Sequence, residues 1–255
     1  MSKISITFDI EPDLHSPTHK GVIEGISKII PLLERHKVKA TFFTTARVIE
    51  KFPFIFKALK KQGHEIAIHG YDHKRFDDLS IDEKEFQIKK SVEIFRKILN
   101  QNPKGFRAPQ HSIDKPTLKI LKNNNFSYDS SLTPFNIIQP LFFPKKLKHE
   151  LKSFFSKRQK YNIYKNLYEI PVSSLLIPFV SLPLRIFPWQ ILKIYLWFLQ
   201  GTNNTLVFYA HSWDFIKLPK SRIDKMFSHE KLIKNLEKML EYLSRRNKFV
   251  TMENL

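Results

Sequence analysis

A chain of 255 residues, 42% of them hydrophobic and only six of them glycine, is long enough for one large α/β unit and too apolar for a disordered or fibrous protein. Its 43 lysines and arginines outnumber 24 acids, and the formal charge of +19 implies attraction to an anionic neighbour (nucleic acid, a phosphate-bearing substrate or lipid headgroups) or, as readily, no more than a solvated lysine-rich surface. Cysteine is absent, which excludes disulfides and thiolate ligands and leaves His, Asp and Glu to hold any cation.

Met1-Ser2-Lys3 leads straight into a β-like run without the features of a secretion signal, so the expected location is cytoplasmic. Lys3 to Phe8 alternates and carries β-branched residues, and reads as a strand ending at Asp9. Gly21 to Lys37 repeats apolar residues near helical spacing, with Pro31 expected to kink or delimit the helix. Lys39 to Thr44 reads as a second strand, and Val48 to Gln62 as a helix interrupted at Pro53 and stopped by Gly63. Glu65 to Ile68 is a third strand, running into His69.

Ser80-Ile81-Asp82-Glu83 fits a capping box, and predicts a helix from there to the neighbourhood of Leu99. Phe106 to Ala108 is a short fourth strand, Lys115 to Asn123 a helix, and Phe126 to Asp129 a fifth strand that ends in a carboxylate. Such alternation predicts parallel strands joined by right-handed crossovers, with functional groups at the carboxyl ends. Farther on, Glu169 to Ser174 and Leu206 to Tyr209 read as strands, His229 to Arg245 as an amphipathic helix and Phe249 to Met252 as a closing strand. With no repeat and no linker, residues 1–255 read as one domain carrying a basic insertion at 133–166.

In that insertion Lys145, Lys146, Lys148, Lys152, Lys157, Arg158 and Lys160 alternate with Leu141, Phe142, Phe143, Phe154 and Phe155. An apolar stretch from Leu175 to Leu199 follows, broken by Pro178, Pro183 and Pro188 and carrying Arg185 and Lys193, which argues against a membrane span. The plain reading of both is a solvated loop and a buried or capping helix; peripheral contact with an anionic membrane is the alternative.

The chemistry centres on His69-Gly70-Tyr71-Asp72-His73, where two imidazoles four residues apart can face one cation, although alone such a pair is as readily two surface or hydrogen-bonded core histidines. Two ligands do not close a site, and the carboxylates after the first strand, Asp9 and Glu11, supply the third. Glu11 is taken as that ligand and Asp9 as the base for a water activated beside the metal, with the exchanged order left open. Arg107 would keep Asp9 ionised, its plainer role being a simple ion pair. His211, in Phe208-Tyr209-Ala210-His211-Ser212-Trp213, can protonate a leaving amine; alone it is as readily a packed histidine.

These pieces, in order, resemble the polysaccharide deacetylase family, carbohydrate esterase family 4. The resemblance rests on Ile6 to Asp13, Val38 to Phe43, Gly63 to His73, Phe106-Arg107-Ala108-Pro109, Tyr128-Asp129-Ser130-Ser131 and Tyr209-Ala210-His211. It implies a distorted (β/α) barrel of about seven strands and metal-dependent removal of an N-acyl group from an amino sugar. By the same resemblance Asp9 is the base, His69 and His73 the metal histidines, Arg107 the holder of the base, His211 the acid and Asp129 the acid that tunes His211. The chain departs from the common pattern: Ile10 separates Asp9 from Glu11, Gly70 stands where serine or threonine often follows the first histidine, Gln110 takes a place frequently aromatic, and Ala67-Ile68 and the long basic insertion leave the sugar-binding walls unread. A backbone amide at Gln110 retains the means to hold an oxyanion, beside an altered substrate wall.

The expected cofactor is a divalent metal, zinc first and cobalt, nickel or manganese otherwise. The expected substrate is an acylated amino sugar in a polysaccharide or glycolipid. A deformylase or deacetylase of a lipid-linked amino sugar at the cytoplasmic membrane face is the near alternative. A catalytically silent nucleic-acid- or membrane-binding barrel is the distant one, since it needs no strand-end histidines and carboxylates.

Overall fold

The computed structural model describes residues 2–14, 16–134, 136, 153–218 and 222–255. Strand β1 (Lys3–Ile10) organises it, buried at every residue after Lys3. The period of two sorts its side chains: Ile4, Ile6, Phe8 and Ile10 enter the large core shared with the helices, while Ser5, Thr7 and Asp9 take the opposite face. That opposite face is the interior of the barrel, filled by a second cluster that includes Phe43, Ala67, Tyr128, Val172, Val207 and Met252.

After β1 come a π-turn (Gly21–Gly25) and α1 (Ile26–Arg35), then β2 (Thr41–Thr44), α2 (Ala46–Lys51), α3 (Pro53–Lys61) and β3 (Glu65–Ile68). Pro53 divides the second helix as expected, by opening α3 at a position where its missing N–H leaves no bond unmade. Pro31, by contrast, neither ends nor splits α1; the departure from α-helical bonding lies upstream, where the Ile26 N–H reaches back to Gly21 O. Helix α4 (Ile81–Leu99) starts from the expected box, Ser80 Oγ accepting from the Glu83 N–H at 3.3 Å and the Glu83 carboxylate from the Ser80 N–H at 2.8 Å. Strand β4 (Gly105–Phe106), α5 (Lys115–Asn123) and β5 (Tyr128–Asp129) follow.

The second half departs more from expectation. Strands β6 (Tyr161–Tyr164) and β7 (Leu167–Glu169) form an antiparallel hairpin turning at Asn166, whose φ is 68°. The strand expected over 169–174 therefore ends where it was expected to begin. A two-stranded ribbon, β8 (Ser174–Leu175) with β9 (Ile177–Pro178), precedes α6 (Ser181–Ile186) and α7 (Trp189–Thr202). Strand β10 (Thr205–His211), α8 (Arg222–Met226), α9 (His229–Ser244) and β11 (Lys248–Phe249) complete the chain. The closing strand is shorter than expected because a 3₁₀ turn takes Met252–Asn254. Of the basic insertion, Lys145, Lys146, Lys148 and Lys152, with Leu141, Phe142 and Phe143, lie outside the described residues.

The sheet runs β10-β1-β2-β3-β4-β5-β7-β6, parallel up to β7, and β11 also joins β1. It is the α/β distorted barrel that the sequence leads one to expect. Because β2 pairs with Thr7–Ile10 and β11 with Lys3–Ile4, they share one edge of β1, and β10 takes the other from Lys3 to Asp9. The carboxyl ends of β1, β3, β4, β5 and β10 then deliver Asp9, His69, Arg107, Asp129 and His211 to one end of the barrel.

Candidate active site

Parallel register sets the first contact: Asp9 is level with His211 on β10 and with Phe43 on β2. Arg107, fully buried, crosses the interior to place Nη1 2.8 Å from Asp9 Oδ1 and 3.0 Å from Thr7 Oγ1. Its Nε and Nη2 donate to Ser130 O and Oγ, and the guanidinium lies 4.0 Å from the Phe43 ring centre. An isolated carboxylate this deep would sooner be neutral; the fork of donors compensates the charge and fixes the direction in which Oδ2 points. The second oxygen is 3.5 Å from His69 Nε2.

Glu11 lies two residues beyond Asp9, just past the end of β1, and is buried. Its Oε1 accepts from Trp213 Nε1 at 3.2 Å, while Oε2 has no hydrogen-bond partner. Around that orphaned oxygen stand His73 Nε2 at 2.5 Å and His69 Nε2 at 3.3 Å. His69 Nδ1 is 2.8 Å from Arg107 O, an acceptor only, so Nδ1 donates there and Nε2 is the atom turned to the carboxylates. Two ring nitrogens and one carboxylate oxygen, all within 4.8 Å of one another, form a donor set that suits a divalent cation. The loop achieves this by two left-handed residues: Gly70 at φ 75° and His73 at φ 67°. A side chain at position 70 would also press on Phe76 and Pro109, which accounts for glycine there. The His73 strain is local and brings its ring onto Glu11.

Across from Glu11, His211 stacks on Trp213 with ring centres 4.0 Å apart, and its Nε2 is 2.6 Å from the Tyr209 hydroxyl and 3.8 Å from Glu11 Oε1. Burial disfavours the imidazolium, but the Asp214 carboxylate, with Glu11 and Asp9 beyond it, outweighs that and raises the His211 pKa. Asp214 was missed in the sequence, although it sits three residues after His211 at the spacing of a short cap. Its Oδ2 accepts from Ser181 Oγ at 2.7 Å, and Arg185 bridges Asp214 to Asp224.

Asp129 is not the residue behind His211, contrary to expectation. It is level with Glu169 on β7, its Oδ1 accepting from Ser131 Oγ at 2.6 Å. Burial first, then the adjacent carboxylate, raises the pKa of Glu169, and burial likewise raises that of Asp129, so the pair holds a proton next to the Ser130 and Ser131 backbone that supports Arg107. His111 was also missed. Left-handed like Gln110, it sets its Nδ1 2.9 Å from Ser131 O and its ring edge-on to Tyr209, and burial with the Arg107 cation pushes its pKa down to about 4. It is therefore a neutral donor on the site's wall. A cleft of about 500 Å³ opens beside the site, lined in part by Pro12, Arg47, Tyr71 and Asp72.

Comparison with known proteins matches residues 2–128 to the polysaccharide deacetylase family and residues 143–255 to a family described as a domain of unknown function, DUF3473. The chain is 36% identical over 125 residues to a peptidoglycan-N-acetylglucosamine deacetylase of Bacillus cereus, covering 49% of this chain and 42% of that one. It is 31% identical over 108 residues to a peptidoglycan deacetylase of Helicobacter pylori, covering 42% and 37%. The chain thus spans less than half the length of these relatives. Among solved structures, a putative polysaccharide deacetylase from Mycobacterium smegmatis superposes with a TM-score of 0.73 at 17% identity, over 99% of this chain and 87% of that one, and so shares the fold.

Proposed function

Since the chain belongs to the polysaccharide deacetylase family, carbohydrate esterase family 4, we propose that it is a metal-dependent hydrolase that removes the N-acetyl group from an amino sugar of a polysaccharide. The observation that carries this reading is the meeting of three elements: the Glu11, His69 and His73 donor set, Asp9 on its Arg107 clamp, and His211 facing both. Zinc suits two imidazoles and a carboxylate, with cobalt, nickel or manganese as the alternatives, and such a cation would supply Lewis-acid polarisation of the amide carbonyl.

The residues divide the remaining work. Asp9, clamped by Arg107, takes a proton from the attacking water through Oδ2. His211, held by Asp214, gives a proton to the departing nitrogen as the carbon–nitrogen bond breaks, leaving acetate and a free amine. The Gln110 main-chain amide, turned by its left-handed φ of 52°, is the oxyanion donor in this reading. Each proton-transfer group contributes about 10²–10⁴-fold, so either loss nearly abolishes turnover. Acetate release from N-acetylglucosamine oligomers by metal-loaded protein tests the reading. Asp9→Asn and His211→Ala are expected to be inactive, and near-normal rates in either remove that residue from its role.

The formal charge of +19 supports a narrower version, deacylation of a lipid-linked amino sugar at the cytoplasmic face of a membrane. A screen of polymeric against lipid-linked acylated sugars decides between them by the ratio of their kcat/KM values.

A further inference from the structure

Helix α7 has apolar side chains on two opposite faces. Leu192, Leu196 and Leu199 recur at helical spacing and enter the core. On the other side Ile191, Ile194, Trp197 and Phe198 recur at the same spacing and are 49%, 59%, 63% and 51% exposed. Trp197 and Phe198 meet edge to face, with ring centres 4.8 Å apart, and so present one aromatic ridge. A helix that is apolar all round needs apolar neighbours on both sides, and the barrel covers only one. No helix among the described residues is long and apolar enough to cross a membrane.

Beside the ridge runs a groove of about 790 Å³ that is bordered by Lys193, Trp197, Phe198, Tyr242, Arg245 and Arg246, with no acidic side chain in its lining. Arg245 pairs with Glu241 on the exposed surface, which leaves its charge solvated rather than neutralised. We propose that this face is a docking surface for an anionic lipid bilayer. The aliphatic and aromatic ridge enters the headgroup boundary, and the lysine and arginines beside it meet lipid phosphates. Charge selects this occupant. A second copy of the chain would set Lys193, Arg245 and Arg246 against their own kind, within a molecule already carrying +19. A nucleic acid would match the cations and leave Ile191 and Ile194 uncovered. Ser2 also borders the groove, at the opposite end of β1 from Asp9, so docking turns the hydrolytic end away from the bilayer, toward a polymeric substrate rather than a lipid-linked one.

The proposal uses no step of the hydrolysis, and its test is independent of activity. The 255-residue chain is co-sedimented with vesicles of phosphatidylcholine alone or mixed with phosphatidylglycerol, at low and high salt. Wild type should bind the mixed vesicles, lose most of that binding in high salt, and ignore the neutral ones. Ile194→Ser with Trp197→Ser should weaken partitioning about ten-fold or more, and Arg245→Ser with Arg246→Ser about ten-fold. All four positions lie outside the hydrolytic site, so metal content and acetate release from soluble oligomers should match wild type. The arginine pair, beyond the end of α9, carries the test alone if the α7 variant fails to fold. Equal binding by wild type and both variants, binding to neutral vesicles as strong as to anionic ones, or a dimer in solution that the α7 variant dissolves would each overturn the proposal.

Discussion

Asp214 Oδ2 accepts the main-chain N–H of His211 at 2.9 Å and lies 3.5 Å from Nδ1 of the same residue. Two contacts from one carboxylate fix both the position and the orientation of the imidazole, and Ser181 and Arg185 fix the carboxylate in turn. Asp214→Asn retains the shape but presents an amide to the ring, so kcat should fall about 10²-fold or more with KM little changed. Steady-state kinetics on soluble oligomers measures both constants. An unchanged kcat would take Asp214 out of the proton relay.

Arg107 compensates a buried charge, and its removal should be felt in stability as well as rate. Arg107→Ala leaves the Asp9 carboxylate without its cation and should destabilise the fold by about 3–5 kcal/mol, read from urea unfolding. Arg107→Lys restores the charge without the fork that also reaches Ser130 and Thr7, and should recover part of the stability but little of the activity.

Metal should track the imidazoles. Purified protein should carry about one divalent ion per chain, measured by elemental analysis, and His69→Ala or Glu11→Ala should lose it while Asp9→Asn keeps it. Retention by the His69 variant would move the cation elsewhere.

Glu65, at the far end of β3, gives a pH dependence of stability with a definite sign. Burial pushes its carboxyl from 4.5 up to about 7, against bonds from Tyr128, Thr41 and the Glu253 amide that pull it down. The folded state therefore binds more protons than the unfolded one between those values, so the contribution is complete below pH 4.5 and is lost as pH rises through 7. The difference is on the order of 3 kcal/mol. Glu65→Gln, uncharged throughout, should unfold with a flatter dependence between pH 5 and pH 8, in urea melts compared with wild type; parallel curves would assign the titration elsewhere.

Gly25 should tolerate no side chain. A Cβ there would stand 2.1 Å from Ser212 O, the carbonyl next to His211. Gly25→Ala must push backbone apart, so it should lower the unfolding midpoint and also reduce kcat, whereas Gly201→Ala, with open space around it, should do neither.

Much of the first half was legible because its signals are local. The Ser80–Glu83 box, the proline opening α3, the alternation of β1 and the approach of β3 to His69 depend on neighbours within a few residues. The second half was read less well: the β6–β7 hairpin has too few residues to establish a period, and Asn166 supplies a left-handed turn that only its φ reveals.

By itself the sequence determined which side chains stand at strand ends: Asp9, Glu11, His69, His73, Arg107 and His211. Periodicity and caps fix where a strand stops, and a strand's end fixes where its next residue emerges. Only the tertiary structure decided which acid serves which base. Asp129 ends one strand and Asp214 follows another, but sheet register sets Asp129 against Glu169, while a four-residue turn folds Asp214 back onto His211. The same holds for α7, whose composition marks it as apolar and whose packing alone separates the face in the core from the face left to solvent. Partnership across space depends on register and packing between segments far apart in the chain, and no local pattern encodes it.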